Sequence, residues 1–429
     1  MSQEPEQEVR HRHRAAASSG ATARSALAVP EFRGLIIAQV ASDAGDQIAR
    51  VALALLVLER TGSAFGAAAT FALSFVPVFF GAAFLGPLAD RVSRRSLMLG
   101  ADLGRAMLIG LLALVATPGA PLLLLFGLLL LSEFLTPVFD AARTASVPSM
   151  LREPALVSAG LGLSRTLALV NQVVGLVIGG LVVTLVSPRA ALFVDAVTFL
   201  LSFSVLALTL QRRVAALPGP TTPAALLVDL REGARVLYAD RSRRALILLA
   251  WCMGLTIVAP ETLGLPYARW VGAPDYWGGI LMAAPIAGVA AGSFVVSRRP
   301  LRAQLQWMLP LAVVSGLPLL LTGLEPPLPL LTVVWFIGGM LQAYVISIIA
   351  ITTLLTEDGF RGRVTGMASA GFALGSLLGT LMAGWFADLS SPAFAVTVIA
   401  CLGMVIAGGA SVVWPRDELQ SDVAALGAQ

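Results

Sequence analysis

Gly86-Pro87-Leu88-Ala89-Asp90-Arg91-Val92-Ser93-Arg94-Arg95 is a short charged run set between two long apolar stretches. The glycine, lacking a side chain, lets two helices approach closely, and the aspartate follows at the edge of the apolar run. Three arginines then mark where the chain re-enters water. Arginines alone would describe any basic loop. The spacing of Gly86 and Asp90 ahead of them, with apolar segments on both sides, is what ties this stretch to a fold.

Outward from it, the chain is 429 residues long, 57% hydrophobic and only 13% charged. Soluble domains carry roughly 25% charged residues. Runs of about 20 apolar residues recur along the whole length, each long enough to cross a bilayer as a helix. An integral membrane protein is expected, with the lipid bilayer as its surroundings. The net charge of +4 comes from arginines spread over short loops, with no lysine anywhere, so no nucleic-acid partner is expected. Cys252 and Cys401 lie inside apolar stretches and read as small core residues. His11 and His13, the only histidines, sit in a polar N-terminal tail. No zinc-type spacing, phosphate-binding glycine loop or nucleophile elbow occurs, so an enzyme is not expected and neither is a metal or other cofactor.

Apolar windows and their breakers predict twelve spans. Those before the middle of the chain are 33–59, 65–89, 96–117, 121–147, 157–186 and 189–211. Those after it are 244–268, 275–297, 303–324, 328–354, 362–387 and 392–414. Arginines collect after every even-numbered span, including Arg91, Arg94 and Arg95 after the second and Arg361 and Arg363 after the tenth. The intervening loops, such as Thr117–Ala120 and Leu389–Pro392, are poor in charge. This alternation predicts both termini in the cytoplasm. The expected organisation is a cytoplasmic tail over 1–32, a six-helix half over 33–211, a linker over 212–243, a second six-helix half over 244–414, and a cytoplasmic tail over 415–429. Within the linker, Leu226–Leu237 spaces apolar side chains helically with arginines opposite, which predicts a helix lying along the membrane surface.

The Gly86–Arg95 run resembles the signature between the second and third helices of the major facilitator superfamily, G-x-L-x-D-R-x-G-R-R, with Ser93 where the family prefers glycine. In span five, Asn171-Gln172-Val173-Val174-Gly175-Leu176-Val177-Ile178-Gly179-Gly180 resembles the signature of the superfamily's drug/proton antiporters, which ends G-P-x-x-G-G. Gly175, Gly179 and Gly180 match, and Leu176 replaces the proline. Ile36–Asp46, Ala101–Arg105 and Ala191–Phe199 are similar to the efflux branch that holds macrolide and siderophore exporters. The resemblance implies an all-α membrane protein of twelve transmembrane helices in two pseudo-symmetric six-helix halves, with the substrate site between the halves near the midplane. It also implies that Gly86, Asp90, Arg91, Arg94 and Arg95 form a cytoplasmic gate element. Spans five and eight, and two and eleven, would pack across the halves and move, using the small-residue faces Gly175, Gly179 and Gly180, Gly288 and Gly292, and Gly371, Gly375 and Gly379. The arginine that related proton-linked exporters often carry early in span four is missing from Pro121–Gly127, so that relay does not transfer.

Ionisable groups inside a membrane are expensive and mark function by default. Asp43, Asp46, Gln47 and Arg50 share one face of span one, which should therefore turn to a cavity. Asp46 reads either as a substrate or proton site or as an internal ion pair with Arg50. Glu133 in span four has no basic residue three or four positions away and is the proton-carrier candidate; Asp140 and Arg143 follow nearer the cytoplasm. Asp102 and Arg105 read as a local pair near the cytoplasmic gate. Arg165 and Asn171 make span five partly polar, and Glu261 is the main interior charge of the second half. Trp251, Trp335, Phe336, Met340, Tyr344 and Phe372 offer apolar surface, or plain packing.

The expectation is a monomeric transporter in a bacterial cytoplasmic membrane, energised by the proton gradient. It would export an amphipathic small molecule such as a drug, antibiotic-like natural product or siderophore by alternating access. Import of a small metabolite is the alternative, and a non-transporting sensor on the same fold is a more distant one.

Overall fold

A computed structural model describes residues 22–84, 93–213, 232, 235, 237–238, 240–357 and 360–426. Among them every regular element is helical. After a short α1 (Ala23–Leu27), the spans are α2 (Pro30–Thr61), α3 (Ala64–Phe84), α4 (Arg94–Val115), α5 (Leu122–Leu151), α6 (Pro154–Leu185) and α7 (Pro188–Thr209). They continue as α8 (Arg241–Trp270), α9 (Tyr276–Val296), α10 (Leu301–Leu324), α11 (Leu328–Leu354), α12 (Arg361–Leu389) and α13 (Pro392–Val413). Ten of these are apolar and long enough to cross a membrane on their own account. The apolar part of α3 is shorter, and α2 carries its row of charges along about 48 Å of helix. The protein is a multi-pass membrane protein.

Helix ends follow from local chemistry. Ser187 and Ser391 each accept a hydrogen bond from the backbone three residues on, with proline at the first helical position behind them. Gly62, with φ of 65°, ends α2 in the left-handed conformation that glycine adopts at least cost. Prolines break or bend spans where no amide can be given up. α8 is interrupted at Val258, just before Pro260, which opens a second helical segment from Ala259.

At the end of the bundle where α3 begins, the loops are short and two arginines there serve backbone carbonyls. Arg60 donates to the carbonyls of Pro118 (2.8 Å) and Ala120 (2.5 Å), and Arg189 to those of Ala113 (2.8 Å) and Leu114 (3.1 Å). Cations placed on the carboxyl end of α4 also oppose its dipole. Exposed Met107, Leu111, Leu123, Leu131, Val197 and Leu208 give the outer helices an apolar surface suited to lipid.

The same end is sealed between the first and last six spans. Ile48, Val51, Leu176 and Val183 pack in one continuous apolar core with Leu265, Met282, Ala283 and Ile286. Here α6 meets α9 so closely that a Cβ on Gly180 would lie 2.9 Å from the Gly279 Cα. Asp388 of α12 accepts hydrogen bonds from the Ser63 hydroxyl (2.5 Å) and from the amides of Ala64 (2.6 Å) and Phe65 (3.3 Å), capping α3 from the other set of helices. Arg269 of α8 meets Glu59 of α2 at 2.8 Å and is held from behind by Asp275.

Other glycine contacts differ from expectation. Gly175 and Gly179 lie on α2, against Gln47 and Ile48. Gly288 and Gly292 face the carbonyls of Phe336 and Met340 on α11, and Gly371, Gly375 and Gly379 face Trp251 and Leu255 on α8. Only Gly180 of that set makes the contact between α6 and α9. Cys252 and Cys401 are exposed rather than core residues. Within the stretch expected as a C-terminal tail, Arg416–Leu426 forms α14, burying Leu419 and Val423 and tied to α8 by Arg241–Glu418 (3.1 Å) and Ser242–Asp422 (2.7 Å). Of the gate run, Gly86, Asp90 and Arg91 lie outside the described residues, as do His11, His13 and most of the surface helix expected in the linker. Arg94 and Arg95 donate to the carbonyls of Ala145 (2.6 Å) and Ala207 (2.7 Å), fastening the start of α4 to α5 and α7.

A candidate substrate and proton site

Two buried guanidinium groups organise the middle of the bundle. Arg105, at the centre of α4 and 1% exposed, bonds Asp102 at 2.7 Å and lies 3.7 Å from Asp46 of α2. Its guanidinium also stacks over the rings of Phe139 (4.8 Å) and Phe199 (4.4 Å). Ser202 of α7 donates to the other Asp102 oxygen at 2.6 Å. The pair expected near the gate is therefore a buried junction of α2, α4, α5 and α7. The sequence showed Asp102 and Arg105 three apart and no more; that Asp46 is the third member is a tertiary fact.

Arg50 of α2 is the second cation. It makes no ion pair within 4 Å among the described residues, and its Nε is buried without a partner. Its strongest electrostatic attractions are to Glu133 of α5, then Asp46, then Glu261 of α8. Asp46 is thus drawn to Arg105 as well as Arg50. Glu133, unpaired along its own helix, faces Arg50 from the neighbouring one.

Glu261 reaches this group because of the break in α8. Pro260 starts a new helical segment, and a carboxylate in its first turn is favoured by the free amides there. The Gln172 side chain of α6 approaches the Glu261 carboxylate at 3.4 Å, linking the two sets of six spans in mid-bundle.

Around this core lie weaker members. Gln39 donates to Asp43 (3.2 Å) and to the Ser164 carbonyl (3.0 Å), and accepts from the Ser164 hydroxyl (2.7 Å). Asn171 donates to the Val40 carbonyl at 3.0 Å, which makes it a tie between α6 and α2. Asp140 and Arg143 pair with each other at 2.9 Å, about two turns along α5 from Glu133. Arg165 is exposed and stands apart from the cluster. Gln39, neutral and therefore silent in a search for charge, is the polar group that sequence reasoning passed over; Gln172 and Asp195 were visible in spans five and six but without their partners.

Nearer the arginine-rich end, a cavity of about 340 Å³ lies between α3 and the last six spans. Phe75 and Val78 form one wall; Ile247, Val345, Ile348 and Phe372 form the apolar part of the other, with Thr352, Thr365 and Ser369 as scattered hydroxyls. The size and lining suit a mostly apolar small molecule fixed by a few polar contacts. Of the large side chains considered from sequence, Phe372 lines this cavity. Trp335 and Tyr344 are fully buried packing, the Trp335 indole donating to Thr322 at 3.0 Å.

A helical membrane bundle sealed at one end, with a charged centre and an apolar cavity toward the other, has the build of a secondary transporter. Residues 35–325 match the family model described as Major Facilitator Superfamily, and the chain belongs to that family: it is a transporter, not an enzyme. Over 400 residues it is 28% identical to the multidrug efflux pump Tap of Mycolicibacterium fortuitum, covering 89% of this chain and 95% of the relative. It is 29% identical over 388 residues to the protein of the same name from Mycobacterium tuberculosis, covering 86% and 91%. Its fold resembles the crystal structure of a point mutant of the nucleoside transporter NupG, with TM-score 0.70 and 16% identity over 92% of this chain and 99% of that one.

Proposed function

We propose that this protein exports amphipathic small molecules, of drug or natural-product type, in exchange for protons by alternating access. The observation that carries the reading is the presence in one bundle of an apolar cavity walled by both sets of spans and a mid-bundle cluster in which five carboxyl groups share two guanidinium groups. An acidic excess in a low-dielectric site is the chemistry that a proton-exchange cycle requires. The likeness to the two efflux pumps supports the direction of transport.

In this reading residues 33–211 and 244–414 are two halves that rock about the cluster, joined by the 212–243 linker. The arginine-rich end and both termini face the cytoplasm, in accordance with the distribution of arginine over the loops. The sealed end is then the outer gate, and the cavity admits substrate from the cytoplasmic side. Asp46, Arg50, Glu133 and Glu261 couple proton and substrate; Asp43, Asp140, Arg143, Arg165 and Asn171 shape the approach. No cofactor beyond the proton gradient is required, and one copy is sufficient.

The test is accumulation of a lipophilic fluorescent cation, ethidium, in inverted membrane vesicles containing the protein. Collapse of the proton gradient should release the dye; accumulation indifferent to the gradient overturns the coupling. Glu133→Gln should abolish gradient-driven accumulation in protein inserted at normal levels, and unchanged accumulation removes Glu133 from the mechanism.

A further inference from the structure

Asp195 of α7 is assigned no role in the scheme above, although it is a buried carboxyl group that makes no ion pair among the described residues. It is 1% exposed. The Thr198 hydroxyl serves its backbone carbonyl at 2.7 Å and its Oδ1 at 3.2 Å, while Oδ2 is buried with no partner among the described residues. A buried carboxylate oxygen without a donor is among the costliest arrangements a protein can hold. A proton on that oxygen removes the charge and most of the cost.

The surroundings of Asp195 are specific. α2 passes it at Gly45, where a Cβ would run into the Thr198 hydroxyl and Asp195 Oδ1. The carboxyl group thus lies close to α2 at the residue before Asp46, in space that only a glycine leaves free. The charged groups that act on it are Asp46 from α2, the strongest, then Arg105 from α4 and Glu133 from α5. Arg105 bonds Asp102 at 2.7 Å, with Asp46 next at 3.7 Å, and none of its donors, the unpartnered Nε included, comes within hydrogen-bond distance of Asp195. Asp46 follows Gly45 in the chain, Asp195 lies against that glycine, and Arg105 acts on both; two carboxyl groups so coupled hold one proton between them more readily than none.

We infer that Asp195 and Asp46 form a proton-binding pair, with the proton resting on Asp195 Oδ2 while the α3 end of the bundle is sealed. Loss of that proton to water sets two carboxylates against each other beside Gly45. Relief comes from sliding α7 on α2 or from drawing Arg105 away from Asp102, so the protonation state is read as helix packing. Asp195 is then a positioning residue for the transport cycle. The inference rests on the proton-exchange reading proposed above.

Purified full-length protein in liposomes separates the two. Ethidium exchange is measured without any gradient across a range of pH, and accumulation is measured with an imposed pH gradient. If the wild type accumulates no dye under the gradient, proton exchange itself fails, and this inference with it. If the wild type is gradient-driven, Asp195→Asn is expected to flatten the pH profile of exchange and abolish accumulation, with Asp195→Glu restoring part of both. Asp195→Asn protein that keeps the wild-type pH profile overturns the pair. Should that variant not fold, pH-difference infrared spectra of the wild type and Asp46→Asn decide. A protonated-carboxyl C=O band that shifts in Asp46→Asn supports a shared proton; the same band unmoved, or none in the wild type, overturns it.

Discussion

Arg105 illustrates how burial changes the worth of a charge. It holds Asp102 and Asp46 together while fully excluded from water, so removing it leaves carboxylates uncompensated in the interior. Arg105→Leu should lower stability by about 3–5 kcal/mol, seen as a large fall in the thermal midpoint of the detergent-solubilised protein. A fall no greater than for a surface substitution would show that Asp102 and Asp46 find other partners. Arg269 makes ion pairs at similar distance but is more than a third exposed at the α3 end. Arg269→Ala should cost no more than about 1 kcal/mol, within the scatter of the same measurement. At this scale the candidate site was half legible. Asp46, Arg50, Glu133 and Glu261 announce themselves because charge inside an apolar run is conspicuous. Which carboxyl group meets which guanidinium depends on the rotation of α2, α4 and α7 about their axes, and no local spacing records that.

Elements were legible almost throughout, because a span must be about 20 apolar residues long whatever its neighbours do. Ser-Pro at 187–188 and 391–392 starts α7 and α13, and Gly62 ends α2. Partnering was less legible. Glycine at every fourth position says that a helix is approached closely but not by which helix. So Gly288 and Gly292 belong to α11, while Gly180 alone of the expected set joins α6 to α9. That contact is tight enough to test. In protein lacking Cys252 and Cys401, Ala64→Cys replaces a residue that is 7% exposed at the seal in its native form. Adding Gly180→Val should force α6 from α9 and raise labelling of that cysteine by an impermeant thiol reagent several-fold. Unchanged labelling would mean that the seal does not depend on this approach.

For the whole molecule, the strengths of the contacts decide what can move. The charged centre is buried and costly to disrupt, whereas the polar ties that help to close the α3 end are exposed. Losing the Asp388 cap should cost about 1 kcal/mol, comparable with the gap between two conformations of one protein. Asp388→Ala should accordingly shift the population away from the sealed state by about fivefold, read as faster labelling of Ala64→Cys. Added salt should speed labelling in the wild type more than in Arg269→Ala, because the Glu59–Arg269 pair is screened. A salt response identical in both would exclude that pair as a tie.

The Asp388 cap has one more consequence, and it concerns inheritance. Two of its three donors are backbone amides, those of Ala64 and Phe65, which no codon change removes except one that introduces proline. The α3 side of the clasp is therefore nearly immune to drift at residues 64 and 65. A lineage is free to vary those side chains to suit new cargoes at the α3 end, and nearly all of the genetic risk falls on the single codon for Asp388.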